Sequence, residues 1–314
     1  MNNYHDEQNE LLIQLAKDFY LENIPVIEMA KKYELSRYKI LKYLSEAKES
    51  GIVTINIRSP YERNYELENS LNQHFKTKLF ILKDTEDLAH RDIHFWHFTA
   101  HCVQEFIQSA NVVALSWGDS VYKVIEQFKP EIREKLIFTQ FIGEIGKYQS
   151  LAGSMRLVQK AAMKYESKYL TLSAPLYIIN SQARELLALE PILQKTLLTA
   201  AHSDIILSGI ATPASITSVE AWNRNRHLLF GNHLAQACGL VYGRPFDQYG
   251  HFLNLENDPT FGLSLEQILD VPTRIGVSNS KFKAEAVLGA LRGDFFTHFF
   301  IDEKSALKIL SLLK

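Results

Sequence analysis

The stretch VVALSWGDSVYKVI, residues 112–125, is where the fold reads most directly. Val112–Leu115 is an unbroken apolar run of the length expected for a buried strand. Ser116-Trp117-Gly118-Asp119-Ser120 interrupts it, and an apolar-periodic helix follows. Strand, glycine turn and helix in that order form the unit of a parallel α/β sheet. A turn of this kind presents free backbone N–H groups at a helix N-terminus, where the helix dipole favours an anion. Gly118 lets the backbone approach a ligand closely, and Ser120 adds a hydroxyl donor. Asp119 would repel a phosphate if it faced inward, so it is expected to point away.

Working outward, Leu79–Leu82, Leu136–Ile142, Tyr169–Leu172, Ile205–Ile210 and Arg274–Val277 are further short apolar runs separated by amphipathic stretches. This alternation predicts one α/β domain over 59–314, with a mainly parallel Rossmann-like sheet and a pocket at the strand C-terminal ends. Its boundary falls near Pro60. A polar, partly helical connector covers Arg58–Lys78.

Residues 1–58 follow a different pattern. Leu12, Leu15, Ala16 and Phe19 have helical spacing; Asn23 and Pro25 mark a break. Val26, Met29, Ala30 and Tyr33 belong to a second helix, which ends in the turn Glu34-Leu35. Ser36 is placed to cap a third, with Ile40, Leu41, Leu44 and Ala47 expected on its buried side. Gly51 stops it, and Ile52–Ile57 alternates as a strand. The prediction is an all-α winged helix-turn-helix over 1–58.

The chain carries a formal net charge of −2, but that charge is unevenly placed. Residues 31–48 hold six basic and two acidic residues. The third helix opens Ser36-Arg37-Tyr38-Lys39, with Lys42 one turn on. These five are the candidate DNA contacts, since such a helix enters the major groove by its N-terminal part and Arg and Lys reach phosphates or guanine. Helix-turn-helix proteins bind symmetric half-sites, so a homodimer or homotetramer is expected.

The segment IEMAKKYELSRYKILKYLSEAKESGIVTINI, residues 27–57, resembles the N-terminal domain of the SorC family of sugar-responsive bacterial transcriptional regulators. Met29-Ala30, Ser36-Arg37 and Gly51-Ile52-Val53 match its pattern. VVALSWGDSVYKVI is similar to that family's strand–loop–helix phosphate site. SAPLYI (173–178), IILSGIA (205–211), RPFDQYG (244–250) and the segment from Val271 to Leu307 resemble its later elements. The resemblance implies a sugar-phosphate isomerase-like fold, operator DNA and a phosphorylated sugar effector as partners, and no cofactor. It assigns Lys283, at the start of KFKAEAVLGALRG, to the pocket. Gly118, Asp119, Ser120, Asp247, Gly143, Glu144 and Gly209 complete the candidate effector-binding set. The sequence departs from the family at Glu34, where Gly is common in the turn. It departs again at Ile142, where members that form a Schiff base have Lys, and at Leu240, where a Gly-Asp pair is usual. Ser278-Asn279-Ser280 replaces a frequent Ala-Gly-Gly.

Bland readings compete. Lys283 can be a solvated helix-start lysine, and Asp247 a turn residue. A sugar-phosphate isomerase or deaminase-like enzyme is an alternative, yet no Ser/His/Asp arrangement, dinucleotide fingerprint or metal motif is present. A ligand-free interaction module is another. His90, His94, His97 and His101 share one helical sector beside the apolar set Ala89, Ile93, Trp96, Ala100, Val103 and Ile107, which is expected to face the core. Phe95, Phe98, Cys102 and Phe106 form a second apolar stripe, expected to meet a buried partner such as another subunit. The histidines read as a polar seam between these faces, and no metal is expected. Cys102 and Cys238 make no CxxC pair. The polar start MNNYHDEQNE and the lack of a long apolar run point to a cytoplasmic protein outside the membrane.

Overall fold

The computed structural model describes residues 2–53, 61–85, 91–146 and 154–313, with backbone alone for 2–8 and 154. The chain divides into two compact units, 1–60 and 61–314.

The first unit holds α1 (Asn2–Tyr20), α2 (Val26–Lys32) and α3 (Arg37–Glu49). Leu15, Met29, Ile40 and Leu44 pack into its core, and Leu12, Ala16 and Ala47 into a satellite cluster. Leu41 corrects the expected burial: it is 54% exposed. Ile40, Leu44 and Ala47 already form the i, i+4, i+7 stripe, and Leu41 lies about 100° off it. The carboxylate of buried Asp18 fastens α1 to the end of α2 by accepting from Lys32 Nζ at 2.7 Å and Tyr33 Oη at 2.6 Å. These bonds hold the Asp18 carboxyl below its ordinary pKa, Lys32 contributing most. Glu34 has φ +50° in the turn before α3. That left-handed conformation is the physical reason glycine suits this turn. Residues 54–57 of the expected wing strand lie outside the described residues.

The second unit continues with α4 (Tyr65–Asn72), β1 (Lys78–Leu82), α5 (Arg91–Ile107), β2 (Val112–Leu115), α6 (Asp119–Glu126), β3 (Ile137–Gln140), α7 (Ser154–Lys164) and β4 (Lys168–Leu170). Next come α8 (Ser181–Ala188), α9 (Pro191–Ala201), β5 (Ile205–Gly209), α10 (Pro213–Thr217), α11 (Glu220–Arg224) and α12 (Arg226–Phe230). The chain closes with β6 (Ala237–Val241), β7 (Arg244–Asp247), α13 (Leu265–Asp270), β8 (Thr273–Ser278), α14 (Ala284–Arg292), β9 (His298–Asp302) and α15 (Glu303–Leu313).

Seven strands pair in the order β1-β9-β8-β5-β2-β3-β4, and every pairing is parallel. Alternate residues of each strand enter different cores. Leu79, Ile81, Ala114, Ile206, Phe299 and Ile301 join one, and Phe80, Leu82, Val113, Leu115, Leu207 and Phe300 the other. Apolar side chains on both faces are why these strands read as continuous apolar runs. The sequence-based set of strands omitted β9, which lies between β1 and β8, and the antiparallel hairpin β6–β7. That hairpin turns through Tyr242 (φ +55°) and Gly243 (φ +81°), both positive as a two-residue turn with right-handed twist requires.

Helix α5 corrects two expectations. Ile93 is 44% exposed rather than in the core. The stripe carrying Phe98 and Phe106 packs within the chain, with ring centroids 6.0 Å from Phe300 and 6.4 Å from Phe80 respectively. The connector enters as a short antiparallel addition to β1. Asn64 N donates to Ile81 O at 2.8 Å, and Lys83 N to Glu62 O at 2.8 Å. The Arg63 guanidinium forks onto buried Glu68 at 2.9 and 2.7 Å. Among the described residues no helix is long and apolar enough to cross a membrane.

Candidate functional site

From β2 the chain runs outward to β3 and β4; from β5 it runs the other way, to β8 and β9. The adjacent strands β2 and β5 therefore flank the point where strand order reverses. In open α/β sheets a crevice forms there, outside the strand C-terminal ends. A cavity of about 160 Å³ occupies that position. Its walls are Ser116–Ser120 after β2, Ser208–Ala211 at the end of β5, Leu240–Gly243 of the hairpin, and Ile142, Ser215 and Lys283.

Gly118 precedes α6 with φ +139° and ψ 150°, and no side chain caps this helix. The first-turn amides at Asp119 and Ser120 are thus left for an outside acceptor. Asp119 turns outward: its side chain is 74% exposed and pairs with Lys123 at 3.0 Å. Lys283 reaches in from the start of α14, its Nζ donating to Ile210 O at 2.8 Å. Burial pushes its ammonium below the usual lysine value; Asp119 opposes this and Lys123 adds to it.

Gly118, Asp119, Ser120, Gly209 and Lys283 therefore converge on one cavity. Gly143, Glu144 and Asp247 do not line it. A Cβ on Gly143 would sit 2.5 Å from Pro175 O, so glycine there permits close backbone packing. Glu144 faces a separate cavity with Trp222 and is held by Gln140 and the Met155 amide. Asp247 closes its own turn, accepting from the amides of Tyr249 and His251 at 2.9 Å each. Burial alone would raise its pKa; those amides and the His251 ring together outweigh it and lower it. Ser116, Ser208, Ile210, Ala211 and Tyr242 line the cavity without having been singled out from sequence. Ser116, Ser208, Ile210 and Ala211 sit at or just past the ends of β2 and β5, the signal that could have found them, whereas Tyr242 belongs to the hairpin that the sequence-based set omitted.

In the first unit, Ser36 Oγ caps α3 by accepting from Lys39 N at 3.2 Å. Arg37, Tyr38, Lys39 and Lys42 are all exposed, Tyr38 at 79%. Lys39 Nζ lies 5.7 Å from the Tyr43 ring centroid, and Lys42 is 3.8 Å from Glu46. His94 is half-buried, His97 and His101 are exposed, and His90 lies outside the described residues. Among the described residues no three His, Cys, Asp or Glu are placed to hold a metal ion.

Residues 59–311 match the family described as "Putative sugar-binding domain". The chain belongs to this SorC-type sugar-binding family. Relatives align almost end to end. A transcriptional regulator LsrR from Enterobacter sp. (strain 638) is 22% identical over 97% of this chain and 94% of its own. A deoxyribonucleoside regulator from Bacillus subtilis is 22% identical over 96% and 97%. The fold of the full-length sorbitol operon regulator SorC from Klebsiella pneumoniae covers 98% of this chain and all of its own, with TM-score 0.68 at 20% identity. Ile142 and Leu240 give the cavity an apolar wall.

Proposed function

We propose that this protein is a DNA-binding transcriptional regulator of a carbohydrate-utilisation operon, controlled by a small phosphorylated sugar or related metabolite. The observation that carries the reading is the cavity at the sheet's switch point, where the open N-terminus of α6 and the Lys283 ammonium converge. Both favour a phosphate, the helix through free amides and dipole and the lysine through charge. In the first unit, α2, the turn through Glu34 and α3 act as a helix-turn-helix. Arg37, Tyr38, Lys39 and Lys42 contact operator DNA, and Ser36 fixes the start of the reading helix. The protein works as a homodimer or homotetramer, and effector biases the arrangement of its reading helices. Regulation requires that effector bind the two arrangements with different affinity.

An enzyme reading has less support. An acid or base must reach the reacting group. The one carboxylate among the described lining residues, Asp119, is turned out to Lys123. The test is a mobility-shift titration of the full chain against the promoter fragment of its own gene, with and without sugar phosphates. Retardation altered by a phosphorylated metabolite is expected. Absence of retardation in every condition overturns the regulator reading.

A further inference from the structure

Resting on the DNA-binding reading above, we infer that Leu41 reads thymine in the operator by packing on its 5-methyl group in the major groove. Leu41 is 54% exposed and Tyr38 79%. Tyr38 has Leu41 at i+3 and Lys42 at i+4, so the three side chains are neighbours on one side of α3. Nothing else in the first unit claims Leu41. Ile52 and Val53 pack with Tyr43 on the cluster that holds Ala47. Tyr43 and Ala47 lie at least about 120° around the helix from Leu41.

The charge around Leu41 says what covers it. Arg37–Lys42, the first six residues of α3, hold three basic side chains and no acidic one. Cations flanking an exposed leucine suit a polyanion that shows an apolar group inside its rim of charge. In the major groove of duplex DNA that group is the thymine 5-methyl, and the other features of the base edges are hydrogen-bond donors and acceptors. A leucine pressed on those would strip their water and return no bond. The N-terminal part of a reading helix is the part that reaches base edges. Arg37, Lys39 and Lys42 hold the phosphates, and Leu41 adds a preference for an A·T pair beneath it.

The test is a mobility-shift titration of the full chain against its own promoter fragment, synthesised once with thymidine and once with deoxyuridine. The two fragments pair identically and differ only in the 5-methyl groups. Uracil is expected to weaken wild type about fourfold per methyl covered, and roughly tenfold or more where two reading helices engage. Leu41→Ser should bind both fragments alike, whereas Lys42→Ala should bind both more weakly and keep the preference. Equal binding of wild type to the two fragments overturns the inference without any variant, and so does a preference that survives in Leu41→Ser; either leaves DNA binding standing. Retardation of neither fragment overturns the regulator reading, and this inference with it.

Discussion

Replacing Gly118 by alanine separates two roles a glycine can play. Its φ of +139° with ψ 150° lies in a region that is essentially glycine's alone. Yet a Cβ built there meets nothing within 4 Å. The substitution therefore introduces backbone strain with no clash to relieve and no packing to gain. If the turn keeps its shape, the second unit loses about 1–3 kcal/mol. In a unit of this size, Tm falls by about 2–4 °C per kcal/mol. If the turn relaxes instead, the amides of Asp119 and Ser120 swing off the cavity. A hydrogen bond to a charged group contributes about 1.5–3 kcal/mol, so losing one weakens phosphate binding roughly 10- to 100-fold. Urea denaturation and calorimetric phosphate titration read the two branches. For the stability readout alone, Gly209→Ala is the control, because its φ is not positive and its nearest neighbour would be Ser120 Cβ at an ordinary 3.9 Å. Stability within about 0.5 kcal/mol of wild type, together with unchanged phosphate affinity, would falsify the assignment of this turn.

Three further outcomes are expected. Glu34→Gly relieves the φ of +50° and stabilises the first unit by about 0.5–1 kcal/mol in urea denaturation; a loss of stability contradicts the account of that turn. Asp18 ionises more readily folded than unfolded, so its contribution is present above its unfolded pKa of about 3.9 and is lost as pH falls through the lower folded value. Asp18→Asn should flatten the acid limb of the stability–pH curve, and an unaltered limb counts against the Lys32–Tyr33 clasp. Lys42→Ala should weaken operator binding across sequences and reduce the slope of log K against log salt by roughly one, as loss of a phosphate contact does; an unchanged slope removes Lys42 from the interface.

The residues that make the switch point were legible because both strand faces are buried, which leaves unbroken apolar runs ending in small polar turns. Gly118, Ser120 and Gly209 could be placed from that pattern. β9 was missed because Thr297-His298 interrupt the stretch Phe295–Ile301, leaving an apolar run of only three residues, Phe299–Ile301, inside the strand. The α5 stripe misled for a related reason. Amphipathicity reports that a face is buried, not whether its partner is β9 of the same chain or another molecule. Asp247 illustrates the limit for site residues. A carboxylate beside a Gly turn has the same sequence signature whether it meets a ligand or, as here, its own amides at Tyr249 and His251.

The latch at the start of the second unit has a consequence for solubility. A parallel sheet of seven strands ends in two rows of unpaired amides and carbonyls, each a template for another chain. On the β1 side, Glu62–Asn64 cover that row, and the Arg63–Glu68 fork holds them down. On the far side the outermost strand is only three residues long and begins with a lysine. Cutting the fork exposes the β1 row, so an Arg63→Ala chain is the one in which strand-to-strand aggregation would begin.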